Sequence, residues 1–416
     1  MSILERALLA RPTRGRWWVR VACAGGVLAG LGTVISLFFV RPDQIAIATD
    51  VYTRAGQAML DGGSVYAVSP ADHPGYTFQY PPVIALLAIA YGVAGPTVAY
   101  VGQIGIDLLA LGALATLVLD RLPADRGDRR LGALTILTAG PVASALAMGQ
   151  ISPVVALCVV GGYLLALADR VRASGFGLGL AALLKVYPAG AWAWLLARRS
   201  WRAVAVAVAV VSVGWLANVA VGIELTHTYV TTVLFEESST AVFADGPPLW
   251  PGYVTVMRPL SALGIRGVWL WVIAAAIVGP AVLASYRDLD SAIGAETAAL
   301  ATVLGLLAVV PLESFYFTMA VPLLVLVAHR IEDHPAVRLL AIGTLLIWVA
   351  VPPGPLTAMA SPLPPTLGGI ATWIGESVLR YVQAPLVGAG FVLGACVWVH
   401  HDLAHGRSIG RPSSDG

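Results

Sequence analysis

Charged side chains are scarce in this sequence: 12% of its 416 residues are Asp, Glu, Lys or Arg, against 58% that are hydrophobic. So little polar surface cannot cover a water-soluble domain, and most of the chain's solvent must be lipid. Lysine is reduced to one residue, Lys185. The net charge of +2 comes from short arginine clusters between apolar runs and forms no basic stripe, which argues against a nucleic-acid partner. Cysteine is rare too. Cys23, Cys158 and Cys396 all lie inside apolar segments, where a thiol acts as a small buried hydrophobe, so neither a disulfide framework nor a metal site is expected. The Gly-rich loop ending in Gly-Lys-Ser/Thr and the Gly-x-Gly-x-x-Gly turn after a strand are both missing, which removes the usual routes to nucleotide binding. No cofactor is expected.

What the chain does have is apolar runs. Those suited to spanning a bilayer cover 21–40, 97–119, 131–148, 153–167, 203–221, 265–285, 296–310, 317–328, 339–351 and 378–399. Two half-length pieces, 175–184 and 189–196, meet at "LKVYP", where Pro188 cannot continue the preceding helix. The fold class is therefore an all-α polytopic membrane protein, read as a single domain over 1–416. Five arginines precede the first run like the start of a signal peptide, but the run is too long and no small-residue cleavage site follows, so it is read as a retained first span. Segment 83–95 is short for a crossing. Treating it as re-entrant or interfacial, while both pieces flanking Lys185 cross, places nineteen of the 25 basic residues on the cytoplasmic side. The expected topology has twelve spans and two cytoplasmic tails, 1–20 and 400–416, with outer loops at 41–82 and 222–264.

This parity gathers chemistry on one face. Segments 41–82, 148–152, 185–188, 222–264 and 312–317 all fall outside the membrane on the outer side. Residues 48–82 alone carry three aspartates, a histidine and four tyrosines, and loops that long are uncommon unless they do something. An unpaired ammonium between apolar half-helices costs several kcal/mol, so Lys185 calls for an anionic partner; the plainer alternative is a snorkelling anchor at the interface. A lipid-linked sugar donor suits this face, because its phosphate needs Lys or Arg near the interface and its sugar needs a carboxylate at the water side.

The stretches "TDVYTRAGQAMLDGGSVY", "YTFQYPP", "GQIS" and "GFGLGLAALLKVYPAGAWAWLLARRSWR", in that order over the first half of the chain, resemble glycosyltransferase family 87. That family is a branch of the GT-C polytopic transferases and includes polyprenyl-phosphate-mannose-dependent mannosyltransferases. The second half departs from the pattern. The Asn-rich stretch ahead of an arginine stands only as "PLWPGYVTVMRPL", keeping Arg258, and "ESFYF" replaces a Ser-Trp-x-His patch.

The resemblance implies a GT-C-type fold of about twelve transmembrane helices, with the active site under the outer leaflet of the plasma membrane. It also implies an acidic base in the first outer loop, which by position is Asp50. The expected reaction is inverting transfer of a sugar, first of all mannose, from a polyprenyl-phosphate donor to a glycolipid or polysaccharide acceptor. Membrane lipids complete the partners. The chemistry asks for one carboxylate in its own right, since the attacking hydroxyl must lose a proton while phosphate leaves without an acid. An alternative role for Thr49-Asp50 is to cap an amphipathic helix ending at Asp61-Gly62.

Lys185 and Arg258 are the candidates for the donor phosphate, and Tyr80, Gln150, Tyr187, Glu313 and Tyr316 for substrate contacts. Tyr80-Pro81-Pro82 suits the loop's return into the membrane, although the ring can also stack on a sugar. Glu313 either holds an acceptor sugar, stands as a second acid or caps the helix after it. Asp72 and His73 read as a solvated turn, and Glu236, Glu237 and Asp245 as a solvated acidic loop, with contact to acceptor sugar hydroxyls as the alternative. Two other function classes compete. A polyprenyl-phosphate arabinosyltransferase or other GT-C transferase shares these features, whereas a secondary transporter should show matching halves that this chain lacks.

The topology makes a direct prediction. Cysteines introduced at Ala124 and Ala173 should react from the cytoplasmic side, and those at Ser69 and Ser239 from outside. Labelling of Ala124 from outside would overturn the arrangement.

Overall fold

The computed structural model describes residues 14–407 except 74, 123, 238–239, 249–251 and 350–363. Arg6, Arg11, Ser239, Arg411 and the end of the 339–351 run lie outside the described residues, as do the side chains of Glu236 and Glu237. Helix dominates, and among the described residues the strand-like pairing is confined to a bridge between Tyr253 and Glu313.

Helix α1 (Arg14–Phe39) leads through a short turn to α2 (Ile47–Leu60); an irregular polar stretch then reaches α3 (Pro82–Ala94) and α4 (Pro96–Leu119). Next come α5 (Arg126–Thr138), α6 (Gly140–Met148), α7 (Ser152–Leu167) and α8 (Val171–Leu184). A 3-10 turn at Tyr187–Ala191 precedes α9 (Trp192–Ala197), α10 (Trp201–Val221), α11 (Ile223–Thr228) and a π-helical run at Tyr229–Glu237. The remainder comprises α12 (Met257–Ala262), α13 (Val268–Ala284), α14 (Ala292–Val309), a 3-10 turn at Ser314–Met319, α15 (Val321–Arg330), α16 (Ala336–Trp348), α17 (Pro365–Ile374) and α18 (Ala384–Ala404).

Five described helices, α1, α4, α10, α14 and α18, are long and apolar enough to cross a membrane. The run expected as one span at 131–148 is instead the pair α5–α6, bent by 41°. Ala139 leaves helical geometry there (ψ 152°), and Pro141 in the first turn of α6 lacks the N–H that would have continued the ladder. Two other expected runs also begin differently. Residues 314–319 wind as a 3-10 turn before α15, and α18 starts only at Ala384. Pro322 and Pro385 stand at the openings of those helices, where a missing N–H is not needed. Helix α3 has 13 residues, roughly 20 Å at 1.5 Å per residue, against a hydrocarbon core of about 30 Å. The break at Lys185 falls where Pro188 demands it. Helix α8 ends at Leu184 and Lys185 is extended (φ −145°, ψ 135°), because Pro188 has no N–H to give the Leu184 carbonyl.

The centre of the bundle is α14 and α15, both almost wholly buried. Trp194 donates its indole N–H to the Ala295 carbonyl at 3.0 Å, which ties α9 to α14, and Tyr163 donates its hydroxyl to Ala191 at 2.9 Å, which ties α7 to the turn beyond the break. At one end, Asp128 takes Arg16 and Arg20 at 2.7 Å each and ties α1 to α5. Small residues set the closest helix contacts, as they do where lipid replaces the hydrophobic driving force. A Cβ on Gly56 of α2 would lie 1.9 Å from the Ala88 carbonyl of α3, and one on Gly92 would lie 2.7 Å from the Gln57 nitrogen.

That contact fixes how far α2 stands from α3. Gly56→Ala should force the pair apart at a cost of about 1–3 kcal/mol, read as a lower melting temperature of the detergent-solubilised protein. An unchanged melting temperature would show that the two helices yield freely.

Candidate active site

Two cavities meet at Lys185. One, of about 420 Å³, is the more polar in its lining residues, with Asp72, His73, Gln79, Gln150 and the rings of Tyr52, Tyr76 and Tyr80. The other, of about 480 Å³, is lined largely by apolar groups, among them Val233, Leu234, Trp271, Val310 and Leu312, together with Tyr187 and Tyr229. Gln79, Lys185, Tyr253, Glu313 and Tyr316 border both.

The ammonium of Lys185 is held by aromatic groups. It donates to the Tyr316 hydroxyl and lies 5.0 Å from the ring centre of Tyr80 and 4.5 Å from that of Tyr316. Cation–π attraction partly offsets desolvation in such a cage. Among the described residues no carboxylate forms an ion pair with it. Burial pulls the Lys185 pKa down to about 7, and the charge of Glu313 works in the opposite direction. Around this cation the tyrosines brace one another. The hydroxyls of Tyr52 and Tyr80 are 2.8 Å apart, Tyr66 donates to the Tyr80 carbonyl at 2.9 Å, and Tyr52 reaches Gln150 Oε1 at 3.4 Å. Tyr187 packs edge-on to Tyr316 at 5.4 Å. Burial drives the Tyr80 and Tyr316 hydroxyls well above their ordinary pKa, so both remain protonated donors.

Six expected site residues thus come together: Tyr80, Gln150, Lys185, Tyr187, Glu313 and Tyr316. Two do not. Asp50 sits in the first turn of α2 on a partly exposed face, with Arg54 Nε 2.9 Å from its carboxylate, whereas Ala48, Val51 and Tyr52 of the same helix face the polar cavity. Arg258 is 2% exposed and spends its guanidinium on the carbonyls of Arg380 (2.6 Å) and Pro248 (2.8 Å). It does not border either cavity; it pins two outlying segments instead.

Both capping alternatives are overturned. Helix α2 begins earlier than Thr49, its N-cap is Ala46 at φ 62°, and no side chain caps it. The start is set by a tertiary bond, Ala46 N–H to the Ala147 carbonyl at 2.8 Å. Glu313 holds the N-cap position of the 314–319 turn, but its side chain makes no cap bond there. The expected helix end is present, with Asp61 as C-cap and Gly62 at φ +72°.

The turn read as solvated does expose Asp72, and Asp72 and the half-buried His73 also border the polar cavity, with His73 Nε2 3.4 Å from Asp43. Sequence reasoning also passed over Tyr52, Tyr76, Gln79 and Tyr253. A signal existed for Tyr52, because Ala48, Val51, Tyr52 and Ala55 recur at helical spacing and are buried together. None existed for Tyr253, which the bridge to Glu313 delivers from 60 residues away.

The model of glycosyltransferase family 87 matches residues 78–314, more than half of the chain. A "Polyprenol-phosphate-mannose-dependent alpha-(1-2)-phosphatidylinositol pentamannoside mannosyltransferase" of Mycolicibacterium smegmatis is 34% identical over 183 residues, which cover 40% of this chain and 42% of that relative. The match therefore spans about two fifths of the curated relative's length. No solved structure matches. On the extent of the family match, this chain belongs to glycosyltransferase family 87.

Proposed function

We propose that the cavity transfers a sugar, with inversion, from a polyprenyl-phosphate donor to a hydroxyl-bearing acceptor. One observation carries this reading: the buried ammonium of Lys185 stands where a cavity lined by Asp72, His73, Gln79 and Gln150 meets one walled by Val233, Leu234 and Trp271. A lipid-phosphate sugar has the same three parts in the same order. The phosphate sits on the Lys185 ammonium and the Tyr316 hydroxyl, a charge-assisted contact. The sugar lies towards Gln79, Gln150 and Tyr80, and the isoprenoid chain runs past Val233, Leu234 and Trp271. Mannose is the sugar proposed, supported by the name of the mycobacterial relative. The acceptor is a glycolipid or glycan. Twelve spans, cytoplasmic termini and a cavity at the outer face of the plasma membrane complete the proposal, supported by the distribution of arginine.

Asp50 is proposed as the base. Its carboxylate takes the acceptor hydroxyl proton as the new C–O bond forms and the anomeric C–O bond to phosphate breaks, with the electron pair leaving on phosphate. An in-line displacement puts the base and the leaving group on opposite faces of the anomeric carbon, and Glu313 is on the Lys185 side. Asp50 is open to an acceptor arriving from outside once Arg54 releases it. One observation favours a second reading, in which Glu313 is the base: Glu313 borders the cavity and Asp50 does not.

Purified protein given polyprenyl-phosphate-mannose and an acceptor should transfer mannose; transfer only from an arabinose donor would change the sugar. Asp50→Asn should lower the rate on the order of a hundredfold to ten-thousandfold with donor binding intact, while Glu313→Gln remains active. The opposite pattern moves the base to Glu313.

Lys185→Ala should raise the KM for donor, losing a contact worth about 1.5–3 kcal/mol, whereas Arg258→Ala should leave that KM unchanged. Lys185 is charged below its pKa of about 7 and neutral above it. The kcat/KM for donor should therefore fall as pH rises through 7, and Lys185→Arg should flatten that fall. A parent enzyme with no such fall would remove Lys185 from the phosphate site.

A further inference from the structure

A cavity of about 370 Å³ lies at the end of the bundle away from Lys185, between the turn that joins α9 to α10 and the connection from α13 to α14. Helix α14 sets the separation. It starts beside this cavity and ends near Glu313, and its 18 residues span roughly 27 Å at 1.5 Å per residue. Most of the lining is polar: Arg198, Arg199 and Arg287, with Tyr286 and Asp290. Three guanidiniums share the space with one carboxylate.

Arginine by itself is expected at this end, since basic residues gather where a chain leaves the membrane. Its uses differ. Arg121 gives its guanidinium to the Leu164 carbonyl, Arg129 to those of Leu122 and Ala124, and Arg330 to the Glu296 carboxylate. Arg198 is also fixed: it donates to the Leu289 carbonyl at 2.6 Å, with its guanidinium carbon 5.0 Å from the Trp194 ring centre. Arg199 and Arg287 have no such use, because among the described residues neither makes a side-chain hydrogen bond or ion pair. Arg199 even stands at φ 53°, the left-handed position after a helix that glycine fills with less strain. What sets these two apart is that they converge with Arg198 on one cavity.

The surroundings are apolar. Trp201, just beyond Arg199, and Leu283, just before Tyr286, are 62% and 68% exposed on apolar helices. A tryptophan so placed at a helix end marks the level of lipid headgroups. A guanidinium cluster open at that level suits phosphate oxygens, to which each planar fork can give two parallel N–H bonds.

We infer that this cavity binds a phosphate group, with Arg199 and Arg287 as its ligands and Arg198 as the fixed wall, at a site separate from the one around Lys185. The phosphate belongs to an anionic lipid headgroup or to a free anion, and the apolar surroundings favour the lipid. Bound there, it draws together two connections whose far ends carry Lys185 and Glu313. The inference does not depend on the transferase reading.

The test uses the full-length protein, delipidated in neutral detergent and titrated with phosphatidylglycerol, with phosphatidylcholine of the same chains, and with inorganic phosphate. Binding is read by native mass spectrometry and by melting temperature. Phosphatidylglycerol should bind with a Kd roughly tenfold or more below that of phosphatidylcholine and should raise the melting temperature. Arg199→Gln combined with Arg287→Gln should abolish both responses. Arg170→Gln combined with Arg172→Gln, which removes the same charge from the α7–α8 connection, should leave them. All four arginines are exposed, so both double variants should fold as the parent does. Phosphatidylglycerol that inorganic phosphate does not displace would assign the site to a lipid; displacement, or a melting temperature raised by phosphate alone, would assign it to the phosphate group from either source. Equal affinity for the two lipids with no response to phosphate would overturn the inference. So would a preference that survives Arg199→Gln with Arg287→Gln, or one lost equally in the control pair.

Discussion

The site depends on one constraint, the burial of the Lys185 ammonium with no carboxylate ion-paired to it among the described residues. Pro188 stops α8 one residue before Lys185, and the extended backbone that results delivers the side chain into a cluster of tyrosine rings. Cation–π attraction and the Tyr316 hydroxyl soften the desolvation penalty but do not neutralise the charge. What remains is a positive site where two cavities with different lining residues meet.

The tyrosines stay in place because two short helices approach at backbone distance. Gly56 and Gly92 let α2 and α3 meet without side chains between them, and this brings Tyr52 from one helix within hydrogen-bonding range of Tyr80 at the head of the other. The wall so formed has the candidate site on one face and an apolar crevice on the other. A single packing contact therefore shapes both spaces, and a shift in it would be felt at Lys185 through Tyr80.

Arginine shows how the same side chain serves different ends. Arg258 resembles a phosphate ligand in sequence, yet its planar fork donates to the carbonyls of Arg380 and Pro248. That role suits a guanidinium, whose fixed geometry allows it to brace two acceptors at once. Arg54 holds Asp50 four residues away on the same helix, a partly exposed pairing of the kind that contributes little to stability.

Much of this protein was legible from its composition and punctuation. Scarcity of charge decided the solvent, apolar runs placed the main helices, Pro188 placed the break, and the quoted motifs led to the family. These are local or additive properties, and a linear chain carries them openly. The composition of the cavity was only partly legible, because burial around a site is a sum over segments far apart in sequence. Tyr253 reaches it by pairing with Glu313, and Asp72 and His73 enter it because their loop folds back over the bundle. The start of α2 was misjudged for the same reason: propensity favoured Thr49 and Asp50 as caps, but a bond from Ala46 to Ala147 began the helix earlier and turned Asp50 away from the cavity. Sequence alone determined which elements exist and that Lys185 lies at a break. Tertiary structure decided which side chains surround it, because only packing sets the rotation of each helix about its own axis.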